Sequence, residues 1–443
     1  MYKSSLALAV AVGVLAQQAG AAGFIEDSKL SLSSRTMYFN SDNREAHAAP
    51  GAARPDQRES GQGFKLDYIS GFTEGTVGFG VDAQALWGIH LDGGEGYHKT
   101  GFFPDDGKGA ASQWSRIGAN AKARFSKTEA HFGSALAPNL PILVANDGRL
   151  LPQTFEGGTI QSKEIDNLTI NAGQLTHAMG RASSNRTGLS VSGATQESNK
   201  FRYGGLDYKL TPDLTLQYYY SNLEDFYKQH FLGATHVFKI SDDQSFKTDL
   251  RYFDSSSDGK NGQTGYAFDN NKGYAKNAGE VDNKTWSAMF TYTLGSHALM
   301  VGHQQVSDDG GFVWLNQGSL VGEGATGASF YLFTDSMINQ FAKAGENTTF
   351  GQYSYDFAGL GVPGLKASIS YLRGDDVRYK SGHGTYNEWE RDARIDYTVQ
   401  EGTLKGLGFS LRQGVYRGGN SETSATADTD QTRFIVNYTY SFL

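Results

Sequence analysis

Apolar and polar residues alternate with a period of two from one end of this chain to the other, and that pattern admits few folds. Val77, Phe79, Val81, Ala83, Ala85, Trp87 and Ile89 interleave with Gly78, Gly80, Asp82, Gln84 and Gly88. Ile117, Ala119, Ala121, Ala123 and Phe125 do the same against Arg116, Asn120, Lys122 and Arg124, and Ile395 and Tyr397 against Arg394 and Asp396. Successive side chains of a strand point to opposite faces, so each segment is a strand with one apolar and one polar face. About seventeen such segments are visible; barrels of one chain have even strand numbers, and roughly 23 residues per strand and connection favours eighteen over sixteen. A soluble β-sandwich is the alternative, but it would not need arginine and lysine along the polar face of so many strands.

The compartment follows from the first residues. Lys3, the apolar run Leu6 to Leu15 and the small residues Ala19, Gly20 and Ala21 form a secretory leader, with residues 1–22 cleaved and 23–443 left as a single barrel domain. About ten apolar residues are too few for a membrane helix, and no later segment supplies one. The 443-residue chain has no cysteine, so disulfides contribute nothing outside the cytoplasm. Only 38% of residues are hydrophobic, as expected where half of each strand faces water inside a barrel. A formal charge of −8 disfavours nucleic acid as a partner.

Connections alternate in length. Thr211-Pro212-Asp213 and Gly295-Ser296 read as periplasmic turns; residues 41–62, 92–112, 135–158, 176–198, 254–281 and 307–346 read as extracellular loops. The terminal strand places Phe434, Val436, Tyr438, Tyr440 and Phe442 on one face, the signal read by barrel assembly machinery, although Leu443 follows the last aromatic residue. The expected surroundings are outer-membrane lipid and lipopolysaccharide.

From Gly23 onward the chain resembles the OprD-type outer-membrane carboxylate channels, the substrate-specific porins of pseudomonads. The resemblance is carried by Gly23-Phe24-Ile25-Glu26-Asp27-Ser28, by Ser115-Arg116-Ile117-Gly118, by Asp147-Gly148-Arg149-Leu150-Leu151-Pro152-Gln153-Thr154-Phe155, by Tyr355-Asp356-Phe357-Ala358-Gly359 and by Glu390-Arg391-Asp392. It implies an eighteen-stranded pore with an inward-folded third loop. Gly180 to Arg186 and Asn222 to Tyr227 are more similar to members for aromatic or cyclic monocarboxylates than to those for basic amino acids.

The residues themselves suggest the same chemistry. Lumen parity turns Arg35, Arg116, Lys122, Arg124, Lys247, Arg251, Arg394 and Arg412 inward, and cations on the wall of a narrow pore favour anions. Of these, Arg35, Arg116, Lys122, Arg124, Arg394 and Arg412 are expected to form a basic track. Inward acids, Asp249, Glu390, Asp392 and Asp396, offer the alternative of internal bracing. Residues 137–157 are too apolar for an exposed loop, so Pro141, Asp147, Arg149, Leu150, Pro152 and Phe155 are expected to form a constriction inside the lumen, with Asp147 pairing with Arg149. Asp308 and Asp309 are candidates to meet a cationic end of a solute. The 10 histidines stand in no motif with a nucleophile, which argues against a barrel enzyme, and no metal or other cofactor is expected. A general diffusion porin of low selectivity is the competing function. A monomer and a trimer both accommodate such a pore.

Overall fold

The computed structural model describes residues 23–44, 56–93, 97–105, 109–315, 329–418 and 428–443; the leader expected over residues 1–22 lies outside them. The strands are β1 (Lys29–Asn43), β2 (Gln57–Ile69), β3 (Val77–Asp92), β4 (Gln113–Phe125), β5 (Thr128–Leu136), β6 (Asn139–Leu140), β7 (Leu143–Val144), β8 (Thr154–Ser162), β9 (Leu168–Met179) and β10 (Phe201–Thr211). They continue as β11 (Leu214–Leu223), β12 (Tyr227–Lys239), β13 (Gln244–Ser257), β14 (Asp282–Leu294), β15 (His297–Val306), β16 (Asn347–Asp356), β17 (Leu365–Arg378), β18 (Thr385–Thr398), β19 (Gly408–Gly418) and β20 (Thr429–Ser441). All but β6 and β7 belong to one 18-stranded antiparallel sheet in which each strand pairs with the next. Ser31 to Asn43 of β1 pair with Thr429 to Ser441 of β20, so the sheet closes on itself and has no edge.

The alternation sets which face meets which solvent. Ile117 is 81% exposed and Phe132 71%, yet both project outward from the wall, where a soluble protein would not tolerate them. Tyr440 and Phe442 lie on the same outer surface near the end that bears the short turns. Among the described residues no helix is long and apolar enough to cross a membrane, which leaves the strands as the spanning elements.

The barrel is not an empty tube. A cluster including Leu143, Phe155, Leu189, Phe201, Phe226, Phe231, Phe253, Phe312 and Leu332 joins lumen-facing wall residues to apolar loop residues. Burying a large apolar side chain contributes roughly 1.5–3 kcal/mol, so these loops are held as firmly as a soluble core. A second cluster packs Met37, Phe39 and Leu86 of the wall against Phe102, Leu150 and Leu151.

Candidate functional site

Two inward loops shape the lumen. The first runs from Leu136 to Thr154, with β6 and β7 as its hairpin tip. Pro141 at that tip packs with Ile142 and Leu143 against Phe312, Val313, Trp314, Leu315 and Phe330 of another loop. Leu150 is 1% exposed and lies against Gly61 and Gly63 of β2, where a Cβ would come within 2.8–3.1 Å of the leucine. Glycines at these inward positions let the loop lie on the wall. Pro152 presents its carbonyl to Arg116, and Phe155, the first inward wall residue beyond, is fully buried.

Asp147 pairs with Arg35 and not with the expected Arg149. Arg35 holds both carboxylate oxygens, at 2.8 and 3.1 Å, and the Arg149 carbonyl at 2.7 Å. Arg149 instead donates to the Thr100 carbonyl and lies over the Phe39 ring at 4.8 Å. Desolvation under the loop, with Arg433 and Arg181 as positive neighbours, pushes its guanidinium well below the usual arginine range. The same desolvation brings Arg181 down to about 10.

The second loop, of which residues 307–315 and 329–346 are described, is strapped to β18. Glu390 accepts the backbone amides of Ile338 and Asn339 at 2.8 Å each, and Asp392 that of Met337. Glu388 receives Lys343 at 2.7 Å, the Tyr416 hydroxyl at 2.8 Å and the Asn339 amide. Five strands along the wall from β18, Arg251 of β13 lies between the rings of Tyr331 and Phe333, 3.6 Å from each centroid. Each desolvated cation–π contact contributes about 1–2 kcal/mol, so Arg251 clamps the strap from its other end.

The cations expected on β4 and the acids Asp308 and Asp309 have partners that take them out of the expected roles. Arg116 is 8% exposed and donates to the Gly180, Ser183 and Pro152 carbonyls, so it braces two loops. Lys122 is 6% exposed, bound to Asp82 and the Ser70 carbonyl, while Arg124 lies over the Phe72 ring at the periplasmic mouth. The β4 residues therefore do not line one open cationic face. Asp308 pairs with Arg378 and Asp309 with Lys276, at the outer end of β15 and away from the constriction. Their position beside the strand end, where loops exchange ion pairs, accounts for this. Gly180 to Arg186 braces the lumen through Arg181, whereas Asn222 to Tyr227 forms a tight outer connection closed by the Asn222 amide on the Tyr227 carbonyl.

What the wall does bring together is a row on three successive strands. Arg394 of β18 stands opposite Arg412 of β19, and Arg412 stands opposite Arg433 of β20. Arg433 is next to Phe39 of β1, and Arg35 lies farther along that strand, bonded through Nε to Asn437 at 3.0 Å. Arg433 also donates to the Met337 carbonyl of the strap at 2.5 Å. Alternation alone turns Arg433 inward, but its place in the row depends on neighbours on other strands, which the pattern does not encode. Like charges directly opposite each other destabilise a sheet; Arg394 is offset by its ion pair with Asp396 and Arg433 by its bonds to the strap and Gln431, while Arg412 has no such partner among the described residues. The three arginines line a cavity of about 300 Å³ that is open to the lumen, facing Met300, Phe333, Phe350 and Leu372, with Asp335 and Asp392 at its side. Burial pushes the Asp335 carboxyl up to about 7, against the pull of Arg433 and Arg181.

A closed, lipid-facing barrel with a loop-narrowed, cation-lined lumen defines an outer-membrane channel. The family model described as outer membrane porin, OprD family, matches residues 22–442, and the chain belongs to that family. It is 34% identical to Porin D of Pseudomonas aeruginosa, over 99% of this chain and 96% of that protein. Against the porin-like protein GalP of Pseudomonas putida it is 33% identical, over 96% and 95%. Among solved structures, OccK8 (OprE) of Pseudomonas aeruginosa is 45% identical, covering 95% of this chain and 100% of that chain with a TM-score of 0.84. OpdK of the same organism, solved with vanillate, is 33% identical with the same coverage and a TM-score of 0.80. The protein is thus an integral outer-membrane porin with a passive channel role, and not an enzyme.

Proposed function

We propose that the channel selects small solutes carrying one carboxylate on an aromatic or cyclic body, and conducts them past Arg433, Arg412 and Arg394, with Arg35 holding the first loop beside them. The observation that carries this reading is the cavity with three cross-strand arginines on one side and Met300, Phe333, Phe350 and Leu372 on the other. Planar guanidinium groups bind a carboxylate bidentately, and the apolar wall receives the rest of the solute. Neighbouring cations about 5 Å apart allow a carboxylate to pass between them, so that no single site traps it. Arg412 makes no ion pair among the described residues; its guanidinium donates to Ser410, which leaves charge for a solute. The relative solved with vanillate, itself an aromatic carboxylate, supports the same preference. Basic amino acids are the second substrate class, with Asp335 and Asp392 as the groups that would meet their ammonium ends.

The test is liposome uptake and single-channel recording with benzoate, its uncharged amide benzamide, and arginine. Benzoate should enter fastest and should interrupt the ionic current. Equal permeation by benzoate and benzamide would instead mark a diffusion pore of low selectivity.

A further inference from the structure

The outer surface of β17 and β18 carries charges that the channel does not use. Arg391 projects outward, on the face shared by Ala393, Ile395 and Tyr397, and is exposed. Among the described residues it has no hydrogen-bond or ion-pair partner. It stands opposite Tyr371, and the neighbouring pair on the same face is Arg373 opposite Trp389. The four residues form a square in which the aromatic pair stacks along one diagonal, centroids 5.9 Å apart and planes at 28°. The two arginines occupy the other diagonal. Arg373 is 52% exposed and bonds to Asp375. The other acids at this level are occupied: Asp430 and Asp428 face Arg417, and Asp430 also holds Arg44. Ile369 and Ala393, paired with each other, continue the outer face toward the periplasmic side.

Height makes the unpaired charge informative. With a rise of about 3.3 Å per residue and a tilt of about 40°, Arg391 lies ~15 Å above Tyr397, within the upper part of an apolar band about 25 Å tall. A guanidinium there faces lipid and extends toward the interface, where it needs an anion. Long loops place this end of the strands on the cell exterior.

We propose that Arg391 and Arg373, with Tyr371 and Trp389, bind a phosphate on the headgroup of an outer-leaflet glycolipid, whose acyl chains lie along Ile369 and Ala393. The aromatic rings lie at the upper edge of the apolar band, and the arginines reach from there to supply paired donors to phosphate oxygens at the interface. The occupant is a lipid and not free phosphate because the site opens sideways onto the apolar band.

The folded porin in detergent, titrated with bisphosphorylated lipid A and followed by native mass spectrometry, tests this. The unmodified protein should retain the lipid; Arg391→Leu should retain it about tenfold less, the loss of one charged hydrogen-bonding contact. Arg391→Lys should recover part of the retention, and channel conductance should be unchanged in both variants. Dephosphorylated lipid A should be retained as poorly as by Arg391→Leu, and millimolar inorganic phosphate should not displace the phosphorylated form. Equal retention by Arg391→Leu, equal retention of the dephosphorylated lipid, or displacement by inorganic phosphate would each overturn the proposal.

Discussion

Two lumen arginines of similar appearance in the sequence have opposite duties. Arg116 saturates three loop carbonyls inside the protein, and replacing it by Gln leaves buried acceptors unsatisfied at roughly 1–3 kcal/mol each. Arg116→Gln should therefore lower the thermal unfolding temperature and increase current noise while leaving ion selectivity close to wild type. Arg412 holds one hydroxyl, so Arg412→Gln should do the reverse. Asp335 adds a pH dependence. Its folded-state value of about 7 lies above the ordinary 3.8, so whatever stability its neutral form contributes is complete below the ordinary value and lost as pH rises through about 7. The same deprotonation puts a negative charge beside Arg433 and Arg181 at the cavity. Carboxylate uptake should accordingly fall between pH of about 6 and about 8, and Asp335→Asn should flatten that profile. An identical profile in the variant would assign the pH dependence elsewhere.

At the scale of elements, the two loops that pack into the lumen are held by different means. The loop over residues 137–153 is fixed by apolar burial and by Arg35 on Asp147; the strap over residues 329–346 hangs between the β18 carboxylates and Arg251. Deleting Leu140 to Asp147 should enlarge single-channel conductance severalfold, and an unchanged conductance would move the constriction to the strap. The first loop was legible because Leu140, Ile142, Leu143, Leu150 and Leu151 are too apolar for water, and burial of such residues is a local inference. Its partners were not: the pairing of Asp147 with Arg35 joins positions 112 residues apart in sequence, which no local pattern encodes. Arg181 and Arg433 escaped for the same reason, since one sits in a loop and the other takes its importance from neighbours on another strand. Glu390 and Asp392 were seen to face inward, but their engagement with backbone amides of a distant loop leaves no trace in periodicity.

For the whole molecule, strand number and closure were readable, because a period of two repeated over the chain has few solutions. The outer aromatic face of β20 belongs to that plan. Phe442→Arg should reduce the yield of folded, heat-resistant barrel, a charge on this face costing about 0–1 kcal/mol at the interface and 2–4 at mid-bilayer. Where the open path runs was not readable, because the loops pack against some strands and leave others bare. The cavity lies along β15 to β20, and the arginine row exists only once β18, β19 and β20 are side by side. Carboxylate selection by this row is read from the reversal potential of single channels in a salt gradient, taken with benzoate uptake, for Arg394→Gln with Arg412→Gln. A selecting row gives a shift away from anion preference and a loss of benzoate uptake in a folded barrel, both differences shrinking as salt shortens the screening length below about 10 Å. Unchanged selectivity and uptake in that variant would contradict such selection and leave the row as a brace of the wall.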